Sequence, residues 1–342
     1  MDSRVLAAVA QGDGLVTVRD LHLLGIEPRQ VARWLKAQQL QQVRRGVYTT
    51  RDLWETWDEY YDRPLARIRA ARRTLRLPFV FSHDSAAIPQ RIPLIRPQDA
   101  DVHITRTHLR GSRTSSGIHH HGARYQPGEV VEVAGLFLLA PARTAVDIAR
   151  EHGYRAGLVA ADGAMQLGVT RTQLHDAAGA MVGWPHSLVV KSAIADADPG
   201  AESPAETLGR ELLHECGFEQ VETQFPVNTP SGVRWTDLRV GRHVFEVEGR
   251  KKSKPVADGG LADRDLEQIL WDQRKRQREV CAQGLGMSQI VWADYWGRAR
   301  ERAKLRLRQE YAVTEHRFGT DLTAQQAEFA ARMRGRRYRS SG

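Results

Sequence analysis

Three carboxylates in the stretch Val233–Lys252, VRWTDLRVGRHVFEVEGRKK, stand where only a cation would make them welcome. Alternating runs at Val233–Val240 and His243–Glu248, separated by Gly241-Arg242, predict a β-hairpin. Glycine at the first turn position suits a two-residue type II′ turn, so Val240 faces His243 and, counting outward, Asp237 faces Glu246. Glu248 follows on the same face. Residues directly opposed in a ladder have Cβ atoms about 4.5–5.5 Å apart, where like charges destabilise the pairing. A divalent metal with oxygen ligands removes that cost. The alternative is a solvated face on which Arg250, Lys251 and Lys252 neutralise the acids. The opposite face, Leu238, Val240, Phe245 and Val247, is apolar and predicts a hairpin buried on one side.

The flanking elements must hold this hairpin. A polar Pro/Gly stretch, Ala195–Ser203, reads as a linker. Pro204–Cys216 comes next as a helix, capped by Ser203 or Glu202, with Glu206 in its first turn. Val221–Val227 is a strand leading to the hairpin. Beyond the hairpin, KKSKPVADGGLADRD reads as a loop. A helix over Leu266–Ala282 carries Arg274, Lys275, Arg276 and Arg278 on its outer face, and SQIVWADYW is a short buried strand. The resulting order is αβββαβ.

The N-terminal third has a different pattern. Val5, Leu6 and Val9 form a first helical stripe, Gly12-Asp13-Gly14 breaks it, and Val18–Leu24 is a second helix stopping at Gly25. Pro28 opens a third helix with Val31, Trp34 and Leu35 inward and Arg29, Arg33 and Lys36 outward. QQVRRGVYTT then reads as a β-wing with Arg44 and Arg45 near its tip. A helix with a basic outer face leading into a basic wing is how a winged helix-turn-helix addresses the major groove and its flanking phosphates. The alternative is an ordinary solvated charged face.

Between these ends, Arg63–Leu77 is an amphipathic helix closed by Pro78. FVFSH, DVHITR and EVVEVAGLFLL are strands, and Pro141–Arg150, Gly157–Leu167 and Thr170–Val182 are helices. His119-His120-His121 invites a metal reading, but neighbours on a strand point to alternate faces and cannot all ligate one ion. His83, Asp84 and Ser85 read as a turn or cap rather than a triad, and Asp147 and Asp162 as structural acids.

The run GIEPRQVARWLKAQQLQQVRRGVYTT resembles the N-terminal winged helix of AbiEi-type antitoxins, matching at Leu40, Val43, Arg45, Gly46, Val47 and Tyr48. FSHDSAAIPQRIPL and LAPARTAVDIAR look like the segments that come after it in that family. This resemblance, over roughly residues 1–195, implies DNA binding and transcriptional autoregulation beside a cognate nucleotidyltransferase toxin. The C-terminal stretch resembles the DUF559 group, similar to very-short-patch repair (Vsr) endonucleases of the PD-(D/E)XK superfamily. SPAETLGRELLHECG, TDLRV, FEVEGRKK and LWDQRKRQREVCAQG carry that likeness. It implies Asp237 as the central metal-ligating aspartate, with Glu206, Glu246, Glu248 and Lys252 at family positions. Glu248 stands where that family usually has Asp, and Gln273-Arg274 replaces its Glu-Lys pair, which puts full activity in question.

The 342 residues suggest two or three domains at roughly 150 residues each. We expect an α+β or α/β chain: a winged helix over 1–55, an α+β region over 56–195, a restriction-endonuclease-like αβββαβ domain over 200–310, and a helical, basic tail over 311–342, its last residues, ARMRGRRYRSSG, disordered. Fifty Lys+Arg against 41 Asp+Glu favour an anionic partner, with double-stranded DNA the first candidate and RNA open. Cys216 and Cys281 make no disulfide framework or metal spacing, and no run approaches the ~20 apolar residues a membrane helix needs. A cytoplasmic protein with no membrane contact is expected, and the chain is compatible with a homodimer.

On this reading Asp237, Glu246 and Glu206 hold Mg²⁺ or Mn²⁺, Lys252 or Arg276 neutralises phosphoryl charge, and Arg29, Arg33, Lys36, Arg44, Arg45, Arg274 and Arg276 contact nucleic acid. The expected function is a DNA-binding, metal-dependent endonuclease in defence, repair or a toxin–antitoxin setting. The rival is a non-catalytic antitoxin-type regulator that keeps the nuclease fold as a DNA clamp.

Overall fold

The computed structural model describes residues 1–76, 78–95, 101–179, 181, 185–248 and 266–340, without the side chains of 266, 267, 269, 270 and 335–340. It is an α+β protein of two compact units, Met1–Ala197 and Asp198–Gly342.

The first unit opens with α1 (Ser3–Gln11), β1 (Val16–Thr17), α2 (Val18–Leu23), α3 (Pro28–Lys36), β2 (Leu40–Arg44) and β3 (Val47–Thr50). Local chemistry sets the helix starts. Asp2 accepts the Arg4 amide, Thr17 and Asp20 form a reciprocal capping box, and Pro28 occupies the first turn of α3, where its missing N–H costs nothing. Val5, Val9, Leu21, Val31, Trp34, Leu40 and Tyr48 pack into one core. Leu6, expected to share that stripe, is exposed instead. The strands form a small antiparallel sheet in the order β1-β3-β2, and Gly46 turns the β2–β3 hairpin with φ +78°.

After α4 (Arg51–Thr56), the helix α5 (Asp62–Thr74) ends before the expected Leu77, which lies outside the described residues. Its Ala66 and Ala70 pack against Leu15 and Val47, so residues 1–55 share a core with α5. Next come β4 (Val80–Phe81), α6 (His83–Ala87), β5 (Val102–Arg106), β6 (Ser112–Ser115), β7 (Ile118–Gly122), β8 (Val130–Val133) and β9 (Leu136–Leu139). They form a six-stranded mixed sheet ordered β6-β7-β5-β4-β9-β8, with β5 parallel to β7 and β4 parallel to β9. Helices α7 (Pro141–His152), α8 (Tyr154–Gln166), α9 (Arg171–Gly179) and α10 (Ser187–Ala195) pack on one another through small residues. Gly157 sits so close to Ala149 that a Cβ there would lie 2.4 Å from its methyl group. The expected helix end at Val182 lies outside the described residues, and α4, β6 and α10 are elements that the sequence pattern does not announce.

The second unit has the order α11 (Pro204–Glu215), β10 (Glu222–Thr229), β11 (Gly232–Val240), β12 (His243–Glu248), α12 (Leu266–Cys281) and β13 (Gly286–Val291). Its sheet is β10-β11-β12-β13, antiparallel except for β12 and β13, which run parallel. Two further helices, α13 (Gly297–Phe318) and α14 (Ala324–Ser340), complete it. The unit departs from expectation in three places. The hairpin is buried on both faces, because Val244 joins Phe225, Val227, Val280, Leu285 and Ala330 in a core opposite the Leu238–Phe245 face. The strand over Ser288–Trp296 ends at Val291 and passes into a 3₁₀ turn, Trp292–Tyr295, whose Asp294 carboxylate accepts the Val291 amide. The basic tail forms helix α14 rather than a disordered end: Ala330 enters the core and Arg334 pairs with Glu222.

Candidate functional site

The β11–β12 hairpin has the register its turn demands. Gly241 takes φ +54°, and Val240 pairs with His243 and Leu238 with Phe245. The ladder pairing stops at Leu238↔Phe245. There the Val247 N–H donates to Asp237 Oδ2 at 2.7 Å, so the carboxylate takes an amide of the neighbouring strand. On the other side of β11, Gln224 occupies the ladder position opposite Asp237, between the pairs Thr223↔Leu238 and Phe225↔Thr236. It adopts a left-handed backbone, φ +51°, which a non-glycine residue takes only at a cost of order 1 kcal/mol. The sheet is thus irregular on both sides of Asp237.

Gln224 also reaches α11. Its side-chain amide donates to Glu206 Oε2 at 3.0 Å, and Glu206 further accepts from the Glu202 amide at 2.8 Å and Ser203 Oγ at 2.9 Å. Ser203 returns the bond by accepting the Glu206 amide, so Glu206 belongs to a helix cap as well as facing Gln224. Tyr295, whose hydroxyl donates to Ala205 O at 2.7 Å, reports the same convergence. Burial raises its phenol pKa, and Asp294, Asp237 and Glu206 raise it further. Gln224 and Tyr295 went unnoticed in the sequence, where nothing about a lone Gln or Tyr marks it.

Glu246 points to α12. Arg276 Nη2 sits 3.0 Å from its carboxylate and donates to Trp235 O at 2.7 Å. Glu248 takes a long contact, 3.5 Å, from Gln273 Nε2. Lys252 lies outside the described residues, as do Gly249–Lys251 and the whole KKSKPVADGGLADRD loop. Glu206, Asp237, Glu246 and Glu248 thus each have a protein donor. Among the described residues the close-set group of potential metal ligands lies elsewhere, at His83, His103 and His121.

The basic residues divide into outward and inward sets. Arg29, Arg33 and Lys36 are exposed along α3, and Arg45 is exposed at the β2–β3 turn. Arg44, beside it, turns inward: it donates to Thr74 Oγ1 at 3.1 Å and Ser116 O at 2.9 Å, and burial lowers its pKa. On α12, Arg274, Lys275 and Arg278 are exposed with Trp271, whose ring lies 5.6 Å from Lys275 Nζ. Cations beside an exposed aromatic ring suit a phosphate backbone with bases that can stack. Arg276, by contrast, serves Glu246.

Asp147 is held by Arg143 at 3.2 Å in a buried ion pair. Among the described residues no helix is long and apolar enough to cross a membrane. Comparison with curated proteins gives no match. Among solved structures, the crystal structure of the RV2827C protein from Mycobacterium tuberculosis is similar at 17% identity and a TM-score of 0.36, covering 61% of this chain and 79% of that one. Residues 3–50, which span α1 to β3, match the family described as "Transcriptional regulator, AbiEi antitoxin".

Proposed function

We propose that this chain is a DNA-binding protein whose α1–β3 segment works as a winged helix-turn-helix, with α3 in the major groove and the β2–β3 wing against the flanking backbone. The observation that carries this reading is the polarity of α3: Val31 and Trp34 are buried, while Arg29, Arg33 and Lys36 are exposed, within the stretch that matches a transcriptional-regulator family. Those cations and Arg45 contact phosphates or base edges, and Arg44 braces the wing from inside.

We further propose that the second unit hydrolyses phosphodiester bonds in the manner of the PD-(D/E)XK enzymes. Its support is the αβββαβ order, with Asp237 where the β11–β12 pairing gives out and the strained Gln224 beside it. The oxygen-only donor set of Asp237, Glu246 and Glu206 fits Mg²⁺ or Mn²⁺. Such an ion supplies an acidified water and charge stabilisation at the phosphorus. Asp237 and Glu246 would hold it, and Gln224 positions Glu206 towards it. Arg276, released from Glu246, brings its guanidinium to the phosphoryl oxygens, and Lys252 has the same role in the family pattern. Glu248 is left to accept a proton or to pair with Lys252.

The competing reading is a non-catalytic regulator that binds DNA with both units and answers to a nucleotidyltransferase toxin. Supercoiled plasmid incubated with wild type or Asp237→Ala/Glu246→Ala, in Mg²⁺, Mn²⁺ or EDTA, separates the two. Metal-dependent nicking by wild type alone, with binding retained in the variant, is the expected result. Binding without cleavage by either protein favours the regulator.

A further inference from the structure

The first unit contains a cluster of histidines that the DNA-binding reading does not use. His83 opens α6, His103 lies on β5 and His121 on β7; all three are buried, with His103 fully enclosed. Their potential ligand nitrogens lie within 4.8 Å of one another. The parallel pairing of β5 with β7 is responsible, since it sets His103 beside His119 and Thr105 beside His121. His119 and His121 share the face of His103, and His120 points to the other side. The pleat excludes His120, and of the two on the shared face it is His121 whose nitrogen joins the group.

His103 Nδ1 and His121 Nε2 face each other at 3.0 Å, and the His121 ring stacks on His83 at 3.9 Å between centroids. His83 Nδ1 is tied to Ser82 Oγ at 3.0 Å, which fixes the ring and leaves Nε2 as its ligand nitrogen. That hydroxyl is the outer support a ligating imidazole ordinarily has. His83 adopts a left-handed backbone, φ +51°, a strained conformation that turns its ring towards the sheet. Asp84, next in sequence, holds His152 at 3.0 Å, and the His152 ring lies 6.2 Å from that of His103.

We propose that His83, His103 and His121 form a binding site for a divalent transition metal of the zinc type. Imidazole nitrogens select Zn²⁺, Co²⁺ or Ni²⁺ over Mg²⁺, and ligation requires the neutral ring. Zinc–nitrogen bonds of ~2.0–2.1 Å in a tetrahedral site separate ligand nitrogens by about 3.4 Å. The His103–His121 pair needs to open by a few tenths of an ångström to meet this. Arg150 acts on both His83 and His121 and opposes a cation, so affinity is lower than three imidazoles alone would give. Three protein ligands leave one position of a tetrahedral ion for water or substrate.

The test uses the full chain titrated with Co²⁺ and Zn²⁺, with Mg²⁺ as control, comparing wild type with His121→Gln and His121→Cys. Wild type should bind one equivalent of Co²⁺ with the visible absorption of a four-coordinate ion, displaced by Zn²⁺ and not by Mg²⁺. His121→Gln should lose at least ~100-fold in affinity. His121→Cys should keep the ion and add a sulfur-to-cobalt charge-transfer band, a signature that misfolding cannot produce. Absence of stoichiometric binding by wild type, or Co²⁺ bound to His121→Cys without that band, overturns the proposal.

Discussion

The carboxylates of α11, β11 and β12 in the second unit and the imidazoles inside the first unit meet opposite electrostatic problems. Asp237, Glu246 and Glu206 each have a separate donor from the protein: the Val247 amide, Arg276, and the Gln224 amide with the α11 cap. A donor thus stands beside each of the three. His83, His103 and His121 pack against one another instead, and burial lowers the pKa of His83 and of His121. A third arrangement calibrates both. His243 in the second unit is equally buried, yet its two ring nitrogens meet the hydroxyls of Thr314 at 2.6 Å and Ser288 at 2.7 Å. That is a histidine satisfied by its fold. The pair His103–His121 is of another kind, because two facing nitrogens can share only one proton at a time.

Breaking the carboxylate side has the largest expected effect. Arg276→Met removes the cation that holds Glu246 and, on the nuclease reading, a stabiliser of phosphoryl charge. Plasmid nicking should fall by about 10²–10³-fold, as for loss of one transition-state donor; unchanged nicking would leave Arg276 a purely structural partner. Next in size is the outward basic set. Arg29→Ala/Arg33→Ala/Lys36→Ala should flatten the log–log salt dependence of DNA affinity by about 2.7, at roughly 0.9 per lost phosphate contact. Arg44→Ala should leave that slope alone and lower thermal stability, since its bonds are internal. Equal slopes for the triple variant and wild type would remove α3 from the interface.

The histidine side is sharpened by acid. Burial holds His243 at a pKa of about 4, below the ordinary 6.5, so the unfolded chain takes the proton first. Its contribution is whole above pH 6.5 and is lost as pH falls towards 4, by about 3 kcal/mol. Urea unfolding of wild type and His243→Gln at pH 7, 5 and 4 should show the gap between them narrowing as pH falls. A constant gap would mean that His243 is not neutral in the fold. The smallest effect is expected at Gln224. Gln224→Gly relieves the left-handed backbone but loses the bond to Glu206, so stability should stay within ~1 kcal/mol of wild type. Nicking should nonetheless decline if Gln224 positions Glu206, and a calorimetric melt beside a cleavage assay reads both.

Chain order alone determined much of this molecule. The hairpin register came from one glycine, because a two-residue turn leaves the strands a single pairing, and Val240↔His243 is what forms. The starts of α3 and α11 came from Pro28 and Ser203, since helix ends are set by groups one to three residues away. The tertiary structure decided what depends on distant partners. Sequence spacing could not tell that Arg44 turns inward while Arg45 stays out, that Val244 is buried under α12 and α14, or that Gln224, opposite Asp237 in the ladder, bonds to Glu206. Least legible was the imidazole cluster, whose members stand at positions 83, 103 and 121 and meet only because β5 and β7 run parallel and α6 folds back beside them. Local chemistry acts over a few residues and can be read along the chain. Contacts across a parallel pairing depend on which strands become neighbours, and that is settled by how the whole core packs.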